Sequence, residues 1–277
     1  RPLVATSLWM MLTNLVAPLL MNMDRLFISN GEGPAMLASY APAMDFTQKL
    51  FTLFGVVMVV VFPAIGAHLA ENPAGARAFY RQAATFLLFW SPPAVLAAGA
   101  VSLPAMRLWL GESHGPEAGR IFAVLLVGCL AGLPGGISFG AVQASGGAKA
   151  ASLFHLSEAI VFAGLFWLGL HHGSLMVVAW IWSGRHVVDS IGMHLLAFRR
   201  GAGSHPAAGA AWGYPAGIFL MACVALLHSF HPWAGIATGI VASGAWTGAL
   251  LSSARGRETI PWSVRSRISG LLGRNMA

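Results

Sequence analysis

Charge is what this sequence has least of: Asp, Glu, Lys and Arg make up 9% of its 277 residues, against roughly 25% in an ordinary soluble domain. Hydrophobic residues fill 57%, and a water-facing surface cannot be built from the remainder. Cysteine is nearly absent as well. Cys129 and Cys223 both lie in apolar runs, which excludes a disulfide framework and a cysteine metal site. No Walker loop, H-E-x-x-H or dinucleotide-binding glycine fingerprint occurs, so no motif of these kinds points to an enzyme. No cofactor is implied.

What the chain does have is long apolar runs. Pro2–Met23, Gln82–Met106, Ile121–Ala148, Pro206–Leu227 and Pro232–Ala254 are free of charge, and each reaches the roughly 20 residues that cross a bilayer's hydrocarbon. Three further runs, about 37–70, 152–170 and 175–198, are equally long but contain ionisable residues. The expectation is an all-α, polytopic transmembrane bundle of about eight spans. Loops are expected near 30–36, 71–81, 107–120, 144–151, 171–174, 199–211 and 231–232.

The formal charge of +7 would suggest nucleic acid in a soluble protein, but here the basic residues sit between spans. With Arg1 placed in the cytoplasm, that side carries Arg1, Arg77, Arg81, Lys149, Arg199, Arg200, Arg255, Arg257, Arg265, Arg267 and Arg274. The opposite side carries only Arg107 and Arg120. This asymmetry satisfies the positive-inside rule with both ends cytoplasmic. Val264, Ile268, Leu271 and Leu272 of the basic tail suit a short helix on an anionic leaflet. The chain begins at Arg1 without an initiator Met, which suggests a piece of a longer protein.

Gly128, Gly132, Gly136 and Gly140 recur every four residues, and Gly235, Gly239 and Ser243 repeat the pattern. Stripes of this kind let helix backbones approach closely in lipid. Pro18, Pro63, Pro92, Pro93 and Pro134 fall inside spans, where they bend a helix statically or serve as hinges.

Function should reside in the ionisable residues inside spans: Asp24, Arg25, Asp45, Lys49, Glu158, Arg185 and Asp189. An ion at mid-bilayer costs at least about 2.5–3.5 kcal/mol on insertion scales, so each must face a polar cavity or a partner. Asp45 with Lys49, and Arg185 with Asp189, have the i, i+4 spacing of structural ion pairs. Asp24 and Arg25 are adjacent and point apart, so one of them needs a partner on another helix. His155 lies one turn before Glu158, with His186 and His194 on the next span, a set able to relay protons. His171, His172 and the pair His228 and His231 do not by their spacing define a metal site.

Three segments carry a family resemblance. The first span ends Met23-Asp24-Arg25-Leu26-Phe27-Ile28-Ser29, the second opens Leu37-Ala38-Ser39-Tyr40-Ala41-Pro42-Ala43, and Phe62-Pro63 stands near its cytoplasmic end. Trp109-Leu110-Gly111, Val142-Gln143-Ala144-Ser145-Gly146 and the turn from Leu170 to Trp180 continue it. These resemble the second half of polysaccharide-exporting flippases in the multidrug, oligosaccharidyl-lipid and polysaccharide exporter superfamily. The resemblance implies two six-helix bundles around a cavity, often followed by two further helices. Residues 1–200 would then be the second bundle, 201–254 the additional pair and 255–277 a basic cytoplasmic tail, with the first bundle as the partner preceding Arg1.

It also implies a bacterial inner-membrane flippase for a lipid-linked oligosaccharide. Arg25, Lys49 and Arg185 are then the candidates for binding its phosphates, and Asp24, Asp45, Glu158 and Asp189 for coupling or cavity polarity. A cation-coupled multidrug exporter of the same superfamily is one alternative. An integral-membrane enzyme acting on lipid or glycan through His155 and Glu158 is the other.

Overall fold

The computed structural model describes residues 2–31, 33–171, 174–206 and 208–252; the basic tail lies outside the described residues. Among them there are helices and no strand. The helices are α1 (Pro2–Gly31), α2 (Pro34–Glu71), α3 (Pro73–Ala144), α4 (Ala148–His171), α5 (Leu175–Arg199), α6 (Ala208–Phe230) and α7 (Pro232–Ser252). Among the described residues, α2, α3, α4, α6 and α7 each contain a stretch long and apolar enough to cross a membrane. The two that do not, α1 and α5, carry Asp24, Arg25, Arg185 and Asp189.

The 72 residues of α3 would run about 108 Å if straight, several bilayer cores. They fold back instead. Gly111 has φ 71° and ψ −171°, a conformation that only glycine adopts without strain. A Cβ on Gly115 would stand 2.6 Å from the Arg107 Cα, and one on Gly119 2.7 Å from the Leu103 Cα. Both contacts are centred on residue 111, so the arms 73–110 and 112–144 form an antiparallel hairpin. Among the described residues, seven helices thus supply eight rods.

The loop expected at 107–120 is corrected by this geometry. Its polar residues have the composition of irregular chain, yet the reversal takes one glycine and both flanks stay helical. The loop expected at 71–81 likewise shrinks to Asn72, whose side chain accepts from the Gly75 N–H at 3.0 Å and caps α3.

The second arm of α3 is the centre of the molecule, buried from Ile121 to Leu133. It packs on α5 through Gly128, Gly132 and Gly135. A Cβ at these positions would meet the Ser183 Cα at 2.6 Å, the His186 Nδ1 at 2.8 Å and the Asp189 Oδ2 at 2.8 Å respectively. The contact stripe therefore takes in Gly135, which the every-fourth-residue reading skipped. On the first arm, a Cβ on Gly239 of α7 would meet the Ala100 Cα at 2.9 Å, and Ser243 donates to the Pro93 carbonyl at 2.8 Å.

Two of the prolines are repaired by side chains. Pro93 cannot donate to the Phe89 carbonyl, and Trp246 Nε1–H donates to it at 3.2 Å. Pro134 leaves the Leu130 carbonyl without its helical donor, and the Tyr214 hydroxyl donates there. Lipid offers no water to satisfy such groups. These bonds fasten α6 and α7 to the two arms of α3.

Candidate functional site

The ionisable residues separate into two groups of different character. The first lies on the face shared by α1 and α2. Arg25 donates through Nη2 to Asp45 Oδ1 at 2.6 Å and to the Ala41 carbonyl at 3.4 Å. Its side chain is 24% exposed and that of Asp45 50%. Gln48 reaches back to α1, donating to the Met21 carbonyl at 3.3 Å and to Asn22 Oδ1 at 3.4 Å. One turn beyond Asp45 on α2, Lys49 is exposed with its Nζ 5.2 Å from the centre of the Phe46 ring, and Thr52 is exposed beyond it. The result is an open polar strip bearing two cations and one anion.

The i, i+4 pairing expected of Asp45 and Lys49 gives way to Arg25–Asp45, a cross-helix bond of 2.6 Å that Arg25 makes from α1. Asp24, next in sequence to Arg25, turns the other way. It is fully buried and accepts from the Tyr40 hydroxyl at 2.5 Å. Tyr40 was not singled out from sequence, although a phenol inside an apolar run is itself a sign of a buried acceptor.

The second group is interior. On α4, Glu158 is ten residues from the helix start, roughly 15 Å at 1.5 Å per residue. That is deeper than the span limits at 152 implied, and well clear of either end. Arg185 and His186 lie near the middle of α5, and both are 3% exposed. Arg185 Nη2 stands 3.0 Å from His186 Nε2 and 3.7 Å from Met21 Sδ. It is within electrostatic reach of Asp189, Glu158 and Asp24.

No Arg185–Asp189 ion pair within 4.0 Å forms among the described residues. Asp189 leans instead toward α4, with Oδ1 3.1 Å from His155 Nε2. The donor atoms of His155, Glu158 and Asp189 all lie within 4.8 Å of one another. Both Glu158 oxygens are buried without a hydrogen-bond partner. The structure thus places Arg25, Lys49 and Asp45 on one open face, and Arg185, Asp24, Glu158 and Asp189 inside.

The remaining polar residues act in packing. His194 Nδ1 is 3.2 Å from the Tyr80 hydroxyl, which also bonds Ser138 at 2.8 Å. His228 Nε2 donates to the Gly99 carbonyl at 2.9 Å. Gly136-Ile137-Ser138-Phe139-Gly140 has the spacing of a G-x-S-x-G nucleophile motif, but Ser138 sits mid-helix and donates to the Pro134 carbonyl at 3.0 Å. A nucleophile elbow needs a sharp strand-to-helix turn, and none exists here.

The class defined by these features is a multi-pass helical membrane protein with a polar face and a polar interior. Comparison with known proteins adds two likenesses. Residues 1–117 match the family described as polysaccharide biosynthesis protein. Over 186 residues the chain is 26% identical to a Shigella flexneri protein named "Putative O-antigen transporter", covering 66% of this chain and 43% of that protein. The chain therefore spans less than half the length of the curated relative it matches. No solved structure matches it. Both likenesses are to proteins named for polysaccharide biosynthesis or O-antigen transport.

Proposed function

We propose that the chain is the second half of a bacterial inner-membrane flippase for a lipid-linked oligosaccharide. The polar strip of α1 and α2 carries this reading. A face shared by two helices and bearing Arg25, Asp45, Gln48, Lys49 and Thr52 is too costly to turn toward lipid, so it serves as one wall of a wet passage. The opposite wall is a first six-helix bundle preceding Arg1. Residues 1–200 make up the second bundle and 201–254 the additional helices, with both ends in the cytoplasm.

Arg25 and Lys49 are the cations available to phosphate oxygens, and the Asp45 partner of Arg25 is displaced as cargo enters. Arg185, enclosed within the bundle, balances buried carboxylates instead of touching cargo. Rocking of the two bundles exposes the strip first inward and then outward, as alternating access requires. Translocation of labelled lipid-linked oligosaccharide in cells or vesicles tests this. Lys49→Ala is expected to slow it at least about tenfold, the effect of losing one charge-assisted contact of roughly 1.5–3 kcal/mol. Full activity in the Arg25→Ala, Lys49→Ala double variant contradicts it.

The interior carboxylates Glu158 and Asp189 favour a second reading, a cation-coupled multidrug exporter. Drug efflux that tracks a sodium or proton gradient, with no oligosaccharide movement, would select it.

A further inference from the structure

The interior group poses a charge problem in which the movement of an oligosaccharide plays no part. Asp24, Glu158 and Asp189 supply three carboxylates around one guanidinium, Arg185, at a depth where water does not screen them. If all are ionised, two negative charges remain, and the dielectric of the site makes that arrangement costly. The surplus is concentrated between α4 and α5. Glu158 is 3% exposed with neither oxygen bonded, and His155 is 8% exposed with Nδ1 unbonded.

We propose that His155, Glu158 and Asp189 form a binding site for a divalent first-row transition ion that ties α4 to α5 at mid-depth. An imidazole with two carboxylates is the donor set such ions favour, whereas an alkali or alkaline-earth ion prefers oxygen alone. Its double charge matches the surplus. Two donors on one ion, each about 2.0–2.2 Å away, stand roughly 3–3.5 Å apart, and His155 Nε2 and Asp189 Oδ1 are already 3.1 Å apart. The Glu158 carboxylate, within 4.8 Å, closes by a side-chain rotation.

The surroundings hold the donors in place. A Cβ on Gly135 would stand 2.8 Å from Asp189 Oδ2, so glycine there leaves the carboxylate its position. The ring of Phe139 lies 5.3 Å from that of His155, centre to centre, and walls the imidazole on one side.

Titration of the purified, chelator-stripped protein in detergent with Co2+ tests the site. Expected is one Co2+ per chain with a visible absorption band, displaced by Zn2+, and a rise in Tm. Glu158→Gln, Asp189→Asn and His155→Gln should each weaken binding at least about tenfold, while His231→Gln, on the surface, leaves it unchanged. Because a ligand variant can fail to fold, the Tm rise of the unaltered protein stands as a separate readout. The proposal is overturned by folded protein that shows neither band nor Tm shift, as expected if protons balance the carboxylates. Stabilisation by Na+ alone, or Co2+ binding that survives Glu158→Gln, overturns it equally.

Discussion

At the scale of single residues, adjacent side chains have opposite fates. Asp24 is sealed against Tyr40, while Arg25 faces the open strip and pairs with Asp45. Tyr40→Phe removes the donor to a buried carboxylate at small cost in volume. It should lower stability by about 1–3 kcal/mol, the penalty of an unsatisfied buried group, read as a fall in Tm in detergent. The partly exposed Arg25–Asp45 pair is worth at most about 1 kcal/mol, so Asp45→Asn should leave Tm nearly unchanged. Transport is where that variant should register, because it frees Arg25 for cargo. Sequence showed that Asp24 and Arg25 point apart and that one needs a partner elsewhere. It could not show which, since an i, i+4 partner is visible in the chain and a partner sixteen or twenty residues away depends on how α1 meets α2. The same blindness hid the His155–Asp189 approach behind the nearer Arg185–Asp189 spacing.

Among elements, the small residues and prolines fix how helices meet. Gly128→Leu would drive a side chain into the Ser183 backbone and should abolish a stable, monodisperse protein. Gly164→Ala, with nothing within 4 Å of the added carbon, should be tolerated; size-exclusion profiles in detergent distinguish the two. Tyr214→Phe and Trp246→Phe withdraw donors from carbonyls that Pro134 and Pro93 leave open. Each should cost about 1–3 kcal/mol, with Tm as the readout. The helical class was legible because about 20 apolar residues in a row admit little else. Helix ends were not. Arg107 to Arg120 has loop composition, and only the backbone reveals that Gly111 turns the chain in one residue while Gly115 and Gly119 let the arms touch.

For the whole molecule, the arrangement of polar surface is what bears on transport. Large apolar residues such as Leu15, Ile160, Val161 and Ile191 are exposed, as lipid contact requires, and the strip on α1 and α2 interrupts them. Single cysteines at Gln48, Thr52, Ile160 and Val161, in a background with Cys129 and Cys223 replaced, can be probed in membranes with a charged, membrane-impermeant thiol reagent added to each side. Labelling at Gln48 and Thr52, blocked by lipid-linked oligosaccharide, with none at Ile160 and Val161, is the predicted result. Silence at both α2 positions from both sides would contradict a wet passage along this face.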